Sequence, residues 1–188
     1  FCTAEHYGTH MDAPAHFTPG QLTLDAIPVR QFFAPAVVVD VSAKVAQDAD
    51  YRLTRADLVA WEEAHEQIPV GAVVIARTGW GARWNDPARY LNADANGTLH
   101  FPGFSVEATR FLVEERRIAG LGIDTLSMDY GPSTQFEVHR ITFPHGLYML
   151  ENLANLELLP EKGAFLVVAP IKLAGGSGGP TRVYALLP

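Results

Sequence analysis

The chain has 188 residues, 48% of them hydrophobic, which is enough to bury one large core, and its size favours a single domain spanning residues 1–188. Its 21 acidic residues outnumber 14 basic ones, and no Lys/Arg block offers the basic face that a phosphate backbone needs, so nucleic acid is excluded as a partner. The longest apolar runs, Ala36–Val39 and Ala164–Ala169, fall far short of the roughly 20 residues of a membrane helix, which excludes a membrane-spanning role. One cysteine, Cys2, forms no intramolecular disulfide, and the expected location is the cytoplasm. The opening at Phe1, without an initiator Met, suggests that a natural N-terminal segment precedes it.

In chain order, the first notable stretch is His6-Tyr-Gly-Thr-His10-Met-Asp12-Ala-Pro-Ala-His16. Gly8, Thr9 and Pro14 argue against a helix, so a turn or an irregular strand is expected. In extended structure His10 and Asp12 share a face, and a bend at Gly8 would bring His6 back to them. Ala36–Val41 reads as a buried strand because β-branched residues dominate it. Thr54 and Asp57 form a capping box that opens a helix, with Leu58, Trp61 and His65 on one face and an end before Pro69. Ala72–Arg77 is a second strand, Ser105–Arg117 a second helix, and Ile118–Ile123 a third strand running into Asp124. Ala164–Ile171 and Arg182–Leu187 read as strands of a hairpin joined by a Gly-rich loop. That loop lacks the following helix and the Gly-Lys-Ser/Thr ending of a phosphate loop. Alternating strands and helices give an α/β domain.

His6, His10, Asp12 and His16 concentrate imidazole and carboxylate within a few residues, the usual donors for zinc and related divalent ions. The zincin pattern His-Glu-x-x-His is absent, as is the Gly-x-Ser-x-Gly elbow of serine hydrolases. Trp80, Trp84 and Phe136 are aromatic residues able to line a pocket, but buried core is the better reading of each.

The string from His6 to Phe17 resembles the signature His-x-Gly-Thr-His-x-Asp-x-Pro-x-His-Phe of the cyclase-like metal hydrolases, the family that includes bacterial kynurenine formamidase and isatin hydrolase. The resemblance continues through Gly122–Asp129, Glu151–Leu156 and Pro170–Pro180. It implies a mixed sheet or barrel-like β core flanked by helices, of the swivelling β/β/α type, assembled as a homodimer or homotetramer. It implies metal ligation by His6, His10 and Asp12 at one ion and by Asp12, His139 and Glu151 at a second, with zinc or manganese as the metal. His16 matches the family's non-ligand catalytic His, and Thr9 and Asp124 are expected to hold imidazoles in one tautomer. Taken without the family, His139 would be a strand-end residue and Glu151 a carboxylate at the start of a short helical turn. His65, His100 and His145 are read as structural. The implied activity is hydrolysis of an amide, formamide, lactam or lactone of a small, aromatic molecule, with kynurenine formamidase as the leading reading. Isatin-type lactam hydrolysis with one metal is the alternative, and a non-catalytic metal- or ligand-binding module is the rival from another class.

Overall fold

In the computed structural model, residues 2–188 are described. Seven strands close into a barrel: β1 (His10–Asp12), β2 (Phe33–Asp40), β4 (Val73–Arg77), β6 (Gly120–Ile123), β7 (Tyr148–Glu151), β8 (Phe165–Pro170) and β9 (Gly178–Leu186). Their order around the barrel is β1-β7-β6-β4-β2-β8-β9 and back to β1. Two short strands, β3 (Arg52–Leu53) and β5 (Gly103–Phe104), pair outside it. The four strands β2, β4, β6 and β7 are parallel, whereas β1 runs antiparallel to both β7 and β9.

The parallel strands read as unbroken apolar runs because both of their faces are buried. Alternate residues Ala36, Val38, Val73, Ile75 and Leu150 fill the barrel interior. Val37, Val39, Val74, Ala76 and Leu121 face outward, against Leu58 and Trp61 of helix α2 (Arg55–Ala64) and against Phe111 and Leu112. Each such valine, leucine, isoleucine or phenylalanine contributes about 1.5–3 kcal/mol on leaving water, and each alanine less. Helix α2 begins at the predicted capping box, with Thr54 Oγ1 accepting from the Asp57 amide at 3.2 Å and Asp57 accepting from the Thr54 amide at 2.7 Å.

Two elements depart from the expected pattern. The helix expected over 105–117 is α-helical only from Val106 to Arg110, after the Ser105 cap, and then widens into a π-helix over Phe111–Arg116. The wider turn lets three consecutive residues, Phe111, Leu112 and Val113, all be buried. The last strand starts at Gly178 rather than at Arg182, because Gly178–Pro180 pair with Asp12–His10 of β1. The last three residues of the Gly-rich stretch 173–180 are therefore sheet, which needs backbone groups and no side chains.

Candidate metal centre

Strand β1 sends Met11 into the barrel interior, so its neighbours His10 and Asp12 emerge together on the opposite face. Gly8 has φ +62°, a turn that glycine adopts without the penalty of a side chain, and it folds His6 back until Nδ1 lies 2.6 Å from Asp12 Oδ1. Across the β1–β7 ladder His10 stands directly opposite Glu151, and opposed residues project to the same side. The resulting distances are 3.0 Å from His10 Nε2 to Asp12 Oδ1 and 3.5 Å from His10 Nε2 to Glu151 Oε2. Helix α5 (Glu137–Thr142) delivers His139, whose Nε2 lies 3.5 Å from Asp12 Oδ2 and 3.5 Å from Glu151 Oε1. The five side chains named from the sequence thus converge at one place. His139 sits in a helix and Glu151 ends a strand, so the strand-end and helical-turn placements suggested by the isolated residues are both corrected.

His10, Asp12, His139 and Glu151 are 3, 1, 3 and 4% exposed, which leaves two carboxylates in a nearly dry space. Burial alone would raise the Asp12 carboxyl, but hydrogen bonds with His10, His139 and His6 hold it well below the usual range. Burial and then the charge of Asp12 raise Glu151. Burial opposes charge on His10, yet the hydrogen bond and charge of Asp12, with Glu151 behind it, push that imidazole up to about 9. His139 is likewise raised against its burial by Asp12, Asp129 and Glu151. The carboxylates demand positive charge, which protonated imidazoles or a divalent ion can supply. Ligand atoms that share an ion at roughly 2.1 Å stand about 3 Å apart, so this donor set fits a divalent ion. His10, Asp12 and Glu151 offer three donor atoms within 4.8 Å of one another, as do His6, Asp12 and His16.

His16 stacks on His6, with ring centroids 3.8 Å apart and planes at 23°. Burial first, and then the neighbouring His6, His139 and His10, push it down to about 4 despite the attraction of Asp12.

The two residues expected to orient imidazoles do something else. Thr9 Oγ1 donates to the Asn152 carbonyl at 2.6 Å, because neighbours in an extended chain point to opposite sides and Thr9 is turned away from His10. Asp124 accepts from the Thr78 amide and hydroxyl at 3.0 and 2.6 Å and from the Gly81 amide at 3.2 Å, so it serves the turn after β4. Different groups hold the imidazoles. Asp129 accepts from His139 Nδ1 at 2.6 Å and from the Val138 amide at 2.9 Å. The Gly8 carbonyl accepts from His10 Nδ1 at 2.9 Å and from the Asn152 side-chain Nδ2 at 3.0 Å. Both contacts place the Nδ1 hydrogen, so Nε2 faces the carboxylates and offers them its proton or, once that proton is displaced, a lone pair to an ion. Asp129 lies within a stretch that resembles the family, but nothing in its spacing from His139 marks the pairing. His65 and His100 pair with Glu161 and Asp50 at 2.6 and 2.7 Å, away from the centre.

A cavity of about 620 Å³ opens onto the cluster. Phe17, Trp84, Leu91, Leu126 and Phe136 supply most of its apolar wall. Trp80 is core, as expected, with its indole N–H bonded to the Tyr90 carbonyl at 2.9 Å. Trp84 and Phe136 are not core: they are 51 and 40% exposed and line the cavity. Phe136 holds φ +51°, uncommon for a bulky residue.

The sequence model of the family described as putative cyclase matches residues 1–130. The chain belongs to this family. The isatin hydrolase of Roseibium aggregatum is 39% identical over 193 residues, spanning 98% of this chain and 72% of the relative. The kynurenine formamidase of Paracidovorax citrulli is 30% identical over 191 residues, spanning 97% of this chain and 76% of the relative. A solved isatin hydrolase bound to the product analogue thioisatinate matches with a TM-score of 0.93 and 37% identity, over 100% of this chain and 74% of that one. Further structures, 28% identical, are described as potential or predicted metal-dependent hydrolases. The chain is a metal-dependent hydrolase acting on carbon–nitrogen bonds other than peptide bonds. Among the described residues no helix is long and apolar enough to cross a membrane.

Proposed function

We propose that this chain hydrolyses the lactam or amide bond of a small, uncharged aryl molecule, with isatin-type lactams as its best substrates. One observation carries the choice: among the described residues no Lys or Arg lines the 620 Å³ cavity, and the carboxylates that line it are Asp12 and Glu151 at the centre itself. N-formylkynurenine carries an amino-acid carboxylate and ammonium, and burying such charges without partners is costly. A flat neutral ring instead matches the walls of Phe17, Trp84 and Phe136. The formamidase reading, which leads from the sequence, therefore takes second place.

His6, His10 and Asp12 would hold one divalent ion, zinc or manganese, and Asp12, His139 and Glu151 a second, with the two Asp12 oxygens facing different imidazoles in support. A divalent ion held by these residues would supply Lewis acidity, making water acidic enough to attack near neutral pH and drawing charge from the substrate carbonyl. His16, neutral at pH 7, accepts a proton as water attacks and returns it to the leaving nitrogen. Its ring stacks on that of His6, so the two imidazoles do not aim at a common point, which favours that role over a share in ligation beside His6. Phe17 and Phe136 pack beside His139 and keep water from its ring.

The homo-oligomer implied by the family resemblance has a surface available: Phe33, Phe165, Tyr184 and Leu186 are exposed on the outer face of β2, β8 and β9. Light scattering would give the assembly size.

The deciding experiment loads the protein with manganese or zinc and measures turnover of isatin, N-formylkynurenine and a simple lactone, with and without chelator. The expected result is chelator-sensitive turnover with isatin favoured. Preference for N-formylkynurenine would reverse the substrate assignment, and no turnover at full metal loading would remove the catalytic reading.

A further inference from the structure

The Gly-rich connection has work to do on the far side of His6. Three donors converge on Glu5 Oε2: the Ser177 amide at 2.8 Å, the Ser177 hydroxyl at 2.7 Å and the Gly178 amide at 3.3 Å. A hydroxyl has one hydrogen and an ionised carboxylate can only accept, so the Ser177 hydrogen is committed to Glu5. His6 Nε2 lies 2.9 Å from the same hydroxyl oxygen and must therefore donate to it. With a hydrogen committed on Nε2, any proton on Nδ1 is the one it shares with Asp12 Oδ1 at 2.6 Å, and once that proton leaves, Nδ1 is the bare donor atom. The residue after Ser177 can only be glycine: a Cβ at Gly178 would stand 2.5 Å from His6 Cε1 and 2.8 Å from the Met11 carbonyl. The β1–β9 pairing, with Asp12 opposite Gly178, brings the hairpin this close.

We propose that Glu5 and Ser177 are positioning residues that lock His6 in the Nε2–H tautomer, so that Nδ1 is the atom it offers to a metal ion. Glu5 acts through Ser177, and Ser177 acts through His6. This inference rests on the reading of His6 as a ligand. It gives the C-terminal hairpin a part in metal binding that the signature around His6 does not contain.

The test measures manganese and zinc affinity by chelator competition, together with the His6 imidazole ¹⁵N shifts of the metal-free protein, in Ser177→Ala, Glu5→Ala, the double variant and His6→Ala. Ser177→Ala should weaken the first equivalent of metal by about 10–100-fold, the range for lost outer partners of a ligand. Glu5→Ala frees the hydroxyl hydrogen to turn toward Nε2, so the ¹⁵N shifts should move toward the Nδ1–H tautomer. The double variant should bind no more weakly than Ser177→Ala, since one residue works through the other. Wild-type affinity in Ser177→Ala beside a loss in His6→Ala would overturn the inference alone, as would a fall in melting temperature with affinity and tautomer unchanged. Wild-type affinity in His6→Ala would overturn the ligand reading, and the inference with it. Should Ser177→Ala fold poorly, Glu5→Ala tests the same lock from the solvent side by removing the acceptor, and unchanged ¹⁵N shifts there would overturn it.

Discussion

Asp12 turns Oδ2 toward Nε2 of His139, 3.5 Å away, while its Oδ1 lies within 3.0 Å of both His6 and His10. A carboxylate divided in this way suits a bridge between two ions. Removing His139 or Glu151 should then lower metal content from about two equivalents toward one, whereas Asp12→Ala should abolish tight binding of both. Elemental analysis after gel filtration reads this directly. Unchanged content in both His139→Ala and Glu151→Ala would leave a one-ion centre.

Asp129 accepts from the ring and the backbone of the same segment, which separates two roles in one substitution. Asp129→Asn keeps an oxygen for the α5 amides but loses the charge and symmetry that hold His139 Nδ1–H. The second equivalent of metal should weaken by about 10–100-fold while the first is unchanged. Calorimetric titration separates the two steps. A drop in thermal stability with both affinities intact would reduce Asp129 to a helix cap.

His16 is pushed down to about 4, first by burial, so it enters the reaction as a base. His16→Ala should lower kcat by about 10²–10⁴-fold, the usual worth of a positioned proton-transfer group, with metal content at the wild-type level. Loss of metal in this variant would instead make His16 a ligand.

Five barrel strands, the capped helix and the approach of His6, His10 and Asp12 are legible in the sequence because each depends on local chemistry: β-branched or apolar runs, a Thr-x-x-Asp box, and a face shared by His10 and Asp12; strand β7 (Tyr148–Glu151) is not. Residue type and the family resemblance named His139 and Glu151, but their approach to Asp12 depends on barrel closure, which no local pattern encodes. Thr9 and Asp124 do not orient imidazoles for the same reason: the fold turns Thr9 away from its neighbour His10, and Asp124 serves the turn after β4. Glu5 and Ser177 meet across 172 residues of chain through the β1–β9 pairing, a contact no spacing reveals. The exposure of Trp84 and Phe136 ran against the ordinary preference of aromatic residues for the core, as functional walls do.

Phe136 and Trp84 should separate binding from backbone strain. Phe136→Gly removes a ring from the cavity but relieves the left-handed conformation, which costs a non-glycine residue about 1–2 kcal/mol. Thermal stability should hold or rise while KM for an aryl lactam increases several-fold. Trp84→Ala should raise KM too, without the gain in stability. Unchanged KM in both would place the substrate elsewhere in the cavity.

Asp57 offers a pH test far from the metal centre. Its burial raises the carboxyl, but this is outweighed by the Lys44 ammonium, the Thr54 amide and the Tyr51 and Thr54 hydroxyls, so the group titrates below its ordinary value. A carboxyl depressed in the folded state contributes stability that is fully present above its unfolded pKa of about 3.9 and is lost as pH falls through the lower folded value. Asp57→Asn should therefore cost about 1–3 kcal/mol at neutral pH, through the weakened capping box and the unpaired Lys44. That difference should stay constant down to about pH 4 and shrink below it. Denaturant unfolding in the presence of chelator, across this range, removes any contribution from metal release. A difference that already fades between about pH 8 and 6 would show that some other group carries it.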